Sequence, residues 1–225
     1  MDAFVKQHCR AAKYDILSGG ANEDLSSREG FHTLLLKGLR LMTFALVMCG
    51  PPCSLFIFLS SSQHLRHLYG AMGSPWDVPT QLANIIAGNM ACFLHIIKIA
   101  RKPWIVVEQP KGSWLLKLPR VLDLISTCKF MRGHQLEKAT TLVGDLPGLK
   151  SLKRVITKKK REHYKKIRAK KNQPPMYIVT ERGVHGTRHL AKSAVYPTRF
   201  CTALAKLWLR DLREHQGYQG LPSSY

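Results

Sequence analysis

Phe44-Ala-Leu-Val-Met-Cys-Gly-Pro-Pro-Cys-Ser54 is the stretch on which the reading of this chain turns. Its apolar run, Phe44 to Met48, stops at Gly50-Pro51-Pro52-Cys53. Consecutive apolar residues bounded by Gly and Pro predict a strand buried on both faces, the kind found in a parallel sheet. Proline cannot continue a sheet ladder, so the strand ends there. Residues that act in open α/β sheets lie just past the carboxyl ends of strands, and Cys53 falls at such a place. Alone, Pro-Pro-Cys reads first as a structural cysteine on a proline turn, because a free cysteine packs as a small hydrophobe.

Trp104-Ile-Val-Val-Glu-Gln-Pro110 repeats the pattern of apolar run, polar tip and proline. Between the two runs, Leu82, Ile85, Ile86, Phe93, Ile96 and Ile97 follow helical spacing and predict a helix over Gln81–Ala100. Strand, helix, strand is a βαβ unit, whose crossover leaves the strands parallel in one sheet. Neighbouring strands lie about 5 Å apart, so Cys53 and Glu108 are expected to face one another across one crevice. A nucleophile and a carboxyl acid so placed form a catalytic pair.

Pro51-Pro52-Cys53 resembles the catalytic Pro-Cys motif of cytosine-C5 DNA methyltransferases, and Glu108-Gln109-Pro110 resembles their Glu-Asn-Val motif. The wider pattern is similar to a group of methyltransferase-like proteins with Pro-Cys-Ser, an Asn-containing helix, then Glu-Gln-Pro and a nearby Ser. The equivalents here are Pro52-Cys53-Ser54, Asn84 or Asn89, and Glu108-Gln109-Pro110 with Ser113. Lys138 with Thr140, and Gly186 through Ser193-Ala-Val-Tyr-Pro197 to Phe200, resemble later elements of the same pattern.

The resemblance implies a partial Rossmann-like α/β fold of the S-adenosylmethionine methyltransferase kind, a mostly parallel sheet with flanking helices. It implies S-adenosylmethionine as cofactor, with Asp15 on the ribose, Asp24 near the adenine and Pro51 in the pocket. The plainer reading of Asp15 and Asp24, in a Gly/Asn/Ser-rich stretch, is as turn or cap residues. The implied chemistry is attack by the Cys53 thiolate on C6 of a flipped-out cytosine. Glu108 then engages the N3/N4 edge, and C5 takes the methyl group. Ser54 stands where those enzymes have Gln, Gln109-Pro110 replaces Asn-Val, and no Gln-x-Arg-x-Arg motif occurs. Only 14 residues precede Asp15 and none is Gly. The family's first strand and Gly-rich cofactor loop are therefore expected to be missing, and the chain to be a truncated or inactive copy.

At 225 residues one core is the default. It divides into a methyltransferase-like part over 1–150, a basic insert or linker over 151–175, and a strand and amphipathic helix over 176–225 that complete the domain. The six cysteines are scattered and none forms CxxC, which points to reduced thiols inside the cell and away from a disulfide scaffold. His64 and His67 have no Cys or carboxylate at ligand spacing, so no metal is expected. The start has no apolar signal region. Leu41–Leu59 is 19 residues without charge, long enough for a membrane segment, but Gly50-Pro51-Pro52 interrupts it.

Net charge is +21. Residues 1–150 carry 17 Lys/Arg and 10 Asp/Glu; residues 151–225 carry 18 and 4. The excess concentrates in Lys153, Arg154, Lys158, Lys159, Lys160, Arg161, Lys165, Lys166, Arg168, Lys170 and Lys171, eleven of the nineteen residues over 153–171. Such a run contacts nucleic-acid phosphates or serves nuclear import, or is a solvated helix or insert. Three functions stand: a methyltransferase-like protein acting on nucleic acid, a non-catalytic nucleic-acid binder using 153–171, and a membrane-associated protein through 41–59.

Smaller expectations complete the reading. Lys13–Leu17 reads as a strand, and Ser26 with Glu29 as a capping box opening a helix to Arg40 that buries Phe31, Leu34, Leu35 and Leu39. His64, Arg66 and His67 read as phosphate contacts or a solvated loop. Trp114 reads first as a core residue rather than a base-stacking one. Val121–Phe130 reads as a helix, and Ala139–Val143 and Met176–Thr180 as strands. Thr198–Glu214 reads as a helix burying Phe200, Leu204, Leu207, Trp208 and Leu212.

Overall fold

The computed structural model describes residues 9–57, 64–128, 131–134, 140–152, 177–180, 183–186 and 198–216, with residues 5, 6, 157, 159, 162, 163 and 166 besides. Asp15 caps the first helix, α1 (Ile16–Gly19), its carboxylate accepting from Leu17 N at 3.0 Å. The strand expected over Lys13–Leu17 is therefore replaced by a cap and a helical turn, the local bond that short acidic side chains favour.

Helix α2 (Arg28–Leu39) is capped by Ser27, whose Oγ accepts from Gly30 N at 2.9 Å. That is one residue later than the expected capping box. Ser26 instead donates from Oγ to the Asp24 carboxylate at 2.7 Å. Phe31, Leu34 and Leu35 pack partly buried as expected, whereas Leu39 lies exposed.

Strand β1 (Leu46–Cys49) follows. Helix α3 (Val78–Arg101) opens on Asp77, which accepts from Thr80 N at 3.0 Å, with Pro79 in the first turn. It closes at Lys102, in the left-handed conformation at φ 52°. Strand β2 (Trp104–Pro110), helix α4 (Pro119–Thr127), and strands β3 (Met131–His134) and β4 (Thr140–Gly144) come next. Strands β5 (Tyr177–Thr180) and β6 (Gly183–Gly186) pair as an antiparallel hairpin. Helix α5 (Thr198–Gln216) ends the described chain.

The fold is mixed α/β. A four-stranded sheet runs in the order β1-β2-β4-β3 with helices on both faces. β1 and β2 are parallel, with Cys49 opposite Val107. β2–β4 and β4–β3 are antiparallel, so the expected mostly parallel sheet gives way to a mixed one. The βαβ unit itself stands as the sequence predicts, with α3 crossing from β1 to β2.

Strand alternation divides the core. Ile105, Val107 and Val143 face α3 and α4, with α2 alongside. Trp104, Val106 and Leu142 face α5 through Phe200, Leu204, Leu207, Trp208 and Leu212, the side the sequence assigned to burial. Central β2 is buried at every position from Trp104 to Gln109. β1 borders the sheet and is only half-buried. The burial on both faces expected for that run belongs instead to β2.

The uncharged stretch beginning at Leu41 holds turns, β1 and the Cys53 turn. Among the described residues, the helix long and apolar enough to cross a membrane is α3, whose inner side is packed on the sheet. Leu82 and Ile85 of α3 lie exposed, because Ala83, Ala87, Met90, Ala91, Leu94 and Ile97 take the core-facing positions.

Candidate functional site

The parallel pairing brings the carboxyl ends of β1 and β2 side by side. Just beyond, Gln109 is fully buried and donates from Nε2 to the Pro51 carbonyl at 2.9 Å. Ser113 Oγ donates to Gln109 Oε1 at 2.9 Å, and Leu115 N donates to Ser113 Oγ at 3.2 Å. A second stitch lies on the other side of Cys53. Phe56 N donates to the Cys53 carbonyl at 2.9 Å, and Trp114 N to the Phe56 carbonyl at 2.8 Å. The Pro-Pro-Cys turn is thus fastened before and after its cysteine to the segment that follows Glu108.

Cys53 is half-buried in that turn and Glu108 is buried at the end of β2. Cys53 lies four residues beyond the end of β1 at Cys49, and Glu108 follows Val107, the residue opposite Cys49 in β2. Alternation along β2 places Gln109 on the side of α3 and Glu108 on the opposite side, beside Leu142 of β4. The side chain that bridges the two strand ends is therefore Gln109. Cys49, at the end of β1, is of another kind: burial pushes its thiol up to about 12, which holds it as an unreactive packing group at neutral pH.

The segment over 64–84 departs from the sequence reading. Arg66 is 1% exposed. Its Nε donates to Leu55 O at 2.7 Å and its Nη1 to Ala71 O and to Asn84 Oδ1, while the guanidinium lies 4.3 Å from the Phe56 ring centroid. Burial lowers its pKa to about 10. Among the described residues, Arg66 Nη2 is a buried nitrogen without a hydrogen-bond partner.

Arg66 therefore locks the chain after Cys53 to the start of α3, in place of the phosphate contact or solvated loop expected of it. His64 is also buried, with Nδ1 at 2.8 Å from the Asp77 carboxylate and 2.9 Å from Thr80 Oγ1. His67 is exposed. Asn84 donates from Nδ2 to Met72 O at 2.8 Å, and Asn89 from Nδ2 to Leu25 O at 2.9 Å, so both helix asparagines hold loops. Trp114 packs at the core's edge, with Lys117 Nζ 4.1 Å from its ring centroid.

The residues expected to hold S-adenosylmethionine each take part in hydrogen bonds within the chain. Asp15 caps α1 and pairs with Lys13 at 2.9 Å, a bond that lowers its carboxyl below the usual range. Asp24 accepts from Ser26 N and Oγ, which lowers it likewise. Both carboxylates are thus engaged in local turns, the plainer of the two readings. The Pro51 carbonyl is taken by Gln109. Among the described residues no group of His, Cys, Asp and Glu is arranged to hold a metal ion.

Of the basic run, Lys159 and Lys166 are described and exposed. Lys153, Arg154, Lys158, Lys160, Arg161, Lys165, Arg168, Lys170 and Lys171 lie outside the described residues, as does Lys138. A shallow depression on α5 is lined by Lys206, Leu209, Arg210, Arg213 and Glu214, none of them from the Cys53 site. Comparison with protein-family models, with curated proteins and with solved structures gave no match.

The sequence named Cys53, Glu108, Gln109 and Ser113 but not the bonds among them. It missed the burial of His64 and Arg66. The available signal was Asp77-Val-Pro-Thr80, a helix start whose cap residue also offers a partner to an imidazole.

Proposed function

We propose that this chain is a methyltransferase-like protein that engages nucleic acid and presents Cys53 as a nucleophile toward a pyrimidine base. One observation carries the proposal: the Pro-Pro-Cys turn at the end of β1 is fastened to the segment after Glu108 by the Gln109 and Trp114 bonds. Preorganised geometry of this sort is what a nucleophile and its acid require.

In the proposed step the Cys53 thiolate forms a bond to C6 of the base. For cytosine the C5–C6 π pair shifts to C4–C5 and the C4–N3 pair to N3, which takes a proton from a carboxylic acid, the role proposed for Glu108. The adduct reverts by the same path, returning the proton and the thiolate. The net charge of +21 supplies the long-range attraction to a polyanion. The proposed step concerns the attack on the base alone.

The test is a pair of binding assays on the full chain. One uses plain duplex DNA and single-stranded RNA. The other uses the same sequences carrying 5-azacytosine, whose C6 is more electrophilic. A covalent complex that survives denaturation and disappears in Cys53→Ser supports the proposal. Salt-dependent binding with no covalent complex on any substrate overturns the nucleophile and leaves a non-catalytic nucleic-acid binder. Absence of binding at low salt overturns both.

A further inference from the structure

Arg66 is a buried cation with no anion bonded to it. Its hydrogen bonds go to the neutral oxygens of Leu55, Ala71 and Asn84. Among the described residues it forms no ion pair, and its Nη2 has no hydrogen-bond partner. Burying an unpaired charge is costly. The backbone around it is held at a cost too. Leu65, directly before it, lies in the left-handed region at φ 48°, which a residue with a Cβ enters under strain. Gly73, at φ 68°, passes so close that a Cβ would fall 2.6 Å from His64 O and 3.0 Å from Arg66 Cγ. Groups held against such costs concentrate at functional sites.

The charge lies against the turn that carries Cys53. Phe56 N donates to Cys53 O at 2.9 Å and closes that turn. Arg66 Nε donates to the carbonyl of Leu55, the third residue of the turn, at 2.7 Å, and the guanidinium lies 4.3 Å from the ring centroid of Phe56, the fourth. The ends of such a turn are less than about 7 Å apart between Cα atoms, which brings Cys53 within about 10 Å of the cation, the range over which charges act even in salt. Phe56 is buried, so part of the medium between them is protein, where charges interact more strongly than in water. Burial lowers the Arg66 pKa only to about 10, so the charge persists at neutral pH. The other charged groups around the turn are engaged or distant. Asp77 lies 2.8 Å from His64 Nδ1 and accepts from Thr80 N. Glu108 is beside Leu142 on the opposite side of β2. Lys111 and Lys117 are exposed, where solvent screens them.

We infer that Arg66 is a positioning residue for Cys53: its bonds fix the turn that carries the thiol, and its unpaired charge favours the thiolate. The proton that leaves the thiol goes to solvent. The inference rests on the reading of Cys53 as a nucleophile and adds the group that prepares it for attack.

The test is the pH dependence of iodoacetamide alkylation at Cys53 in the folded full chain, read by peptide mass spectrometry, for wild type, Arg66→Lys and Arg66→Met. The wild-type midpoint is expected at least about one unit below the ordinary cysteine value of about 8.5. Arg66→Met drops the charge and is expected to raise the midpoint by about one unit, up to a roughly tenfold loss of thiolate at neutral pH. Arg66→Lys keeps the charge and is expected to restore most of the shift. A change of turn geometry alone alters the rate at every pH and leaves the midpoint in place. A wild-type midpoint at or above about 8.5 overturns the inference without any variant having to fold. So does an unmoved midpoint in Arg66→Met that circular dichroism shows to be folded. The 5-azacytosine adduct is read separately. An adduct formed with an unlowered midpoint overturns the role of Arg66 and leaves the nucleophile. A lowered midpoint that Arg66→Met abolishes, with no adduct on any substrate, supports the effect of Arg66 on the thiol and overturns the nucleophile.

Discussion

Gln109 joins two strand ends with one amide. Its Nε2 satisfies Pro51 O and its Oε1 takes the Ser113 hydroxyl, both at 2.9 Å, the second bond fully buried and the first partly so. Gln109→Ala removes the side-chain partner of the half-buried Pro51 carbonyl, leaves the Ser113 hydroxyl hydrogen without its acceptor and opens a small cavity, costing about 2–4 kcal/mol. Ser113→Ala removes one bond of the chain and costs about 1 kcal/mol. If Gln109 positions the nucleophile, Gln109→Ala also changes the alkylation rate of Cys53 by iodoacetamide. The exposed Cys92 is the internal reference, read by peptide mass spectrometry under native conditions. An unchanged ratio of the two rates in a folded variant would mean that the bridge stabilises without positioning. The Glu-Gln-Pro motif was visible in the sequence, but not which of its two polar side chains crosses to β1. That depends on the strand's alternation relative to a neighbour 58 residues away, and no local pattern sets it. Arg66 was illegible for the same reason: arginine is almost never fully buried unless paired, and its partners Leu55, Ala71 and Asn84 come from three separate segments.

Helices α2 and α3 meet at Gly38. A Cβ placed there falls 2.4 Å from Phe93 Cε2 and 2.8 Å from Ile97 Cγ2. Phe93 and Ile97 are buried in the core between α3 and the sheet, so neither has open space to move into. Gly38→Val is therefore expected to destabilise the fold by about 2–3 kcal/mol through overpacking. Helix propensity offers no compensation beyond a few tenths of a kcal/mol, since Val is a poor helix former. Urea unfolding checks this: a midpoint unchanged from wild type would show that the helices can part at no cost. Elements of this size were the most legible part of the chain. The βαβ unit, β4 and α5 follow from apolar runs bounded by Gly and Pro, and from spacing that repeats over many residues. Misreadings cluster where one residue decides, as with Ser26 against Ser27 for the cap, or Asp15 as a strand end against a helix cap. There a local hydrogen bond of about 1 kcal/mol selects between states that the pattern leaves nearly equal. Leu82 and Ile85 belong to the helical spacing but not to the core. Apolar spacing identifies a helix, but α3 carries two apolar sides, and only the sheet beneath it shows which of them is the core.

Charge and apolar surface are distributed in opposition over the whole molecule. Helix α3 contains no Lys, Arg, Asp or Glu from Val78 to Ile97, while residues 151–225 hold 18 of the 35 Lys and Arg and only 4 acids. On α5, Lys206 and Arg213 are exposed on the side away from the sheet, and Arg210 beside them is held by Asp211 at 2.8 Å. Arg210 is partly neutralised by Asp211, which also accepts from Gly148 N at 2.7 Å, and by sequence 11 of the 18 Lys and Arg over 151–225 lie in the run over 153–171. That distribution gives a quantitative expectation for nucleic-acid binding. Each phosphate neutralised by a cation contributes about −0.9 to the slope of log K against log salt on duplex DNA. Replacing Lys158, Lys159, Lys160 and Arg161 by Gln is expected to flatten the slope by about 3.6, if each contacts one phosphate, and to weaken binding on every sequence alike. Lys206→Gln with Arg213→Gln is expected to change it by less than about 1, if the run over 153–171 carries the contacts. Fluorescence anisotropy on a short duplex, over a series of salt concentrations, measures both. A slope insensitive to the four substitutions would place the phosphate contacts elsewhere, and a large loss in the α5 variant would move them to the face of that helix. Because Cys53 and Glu108 are untouched in either variant, a covalent adduct to 5-azacytosine that persists at low salt would separate how the polyanion is attracted from how a base is attacked.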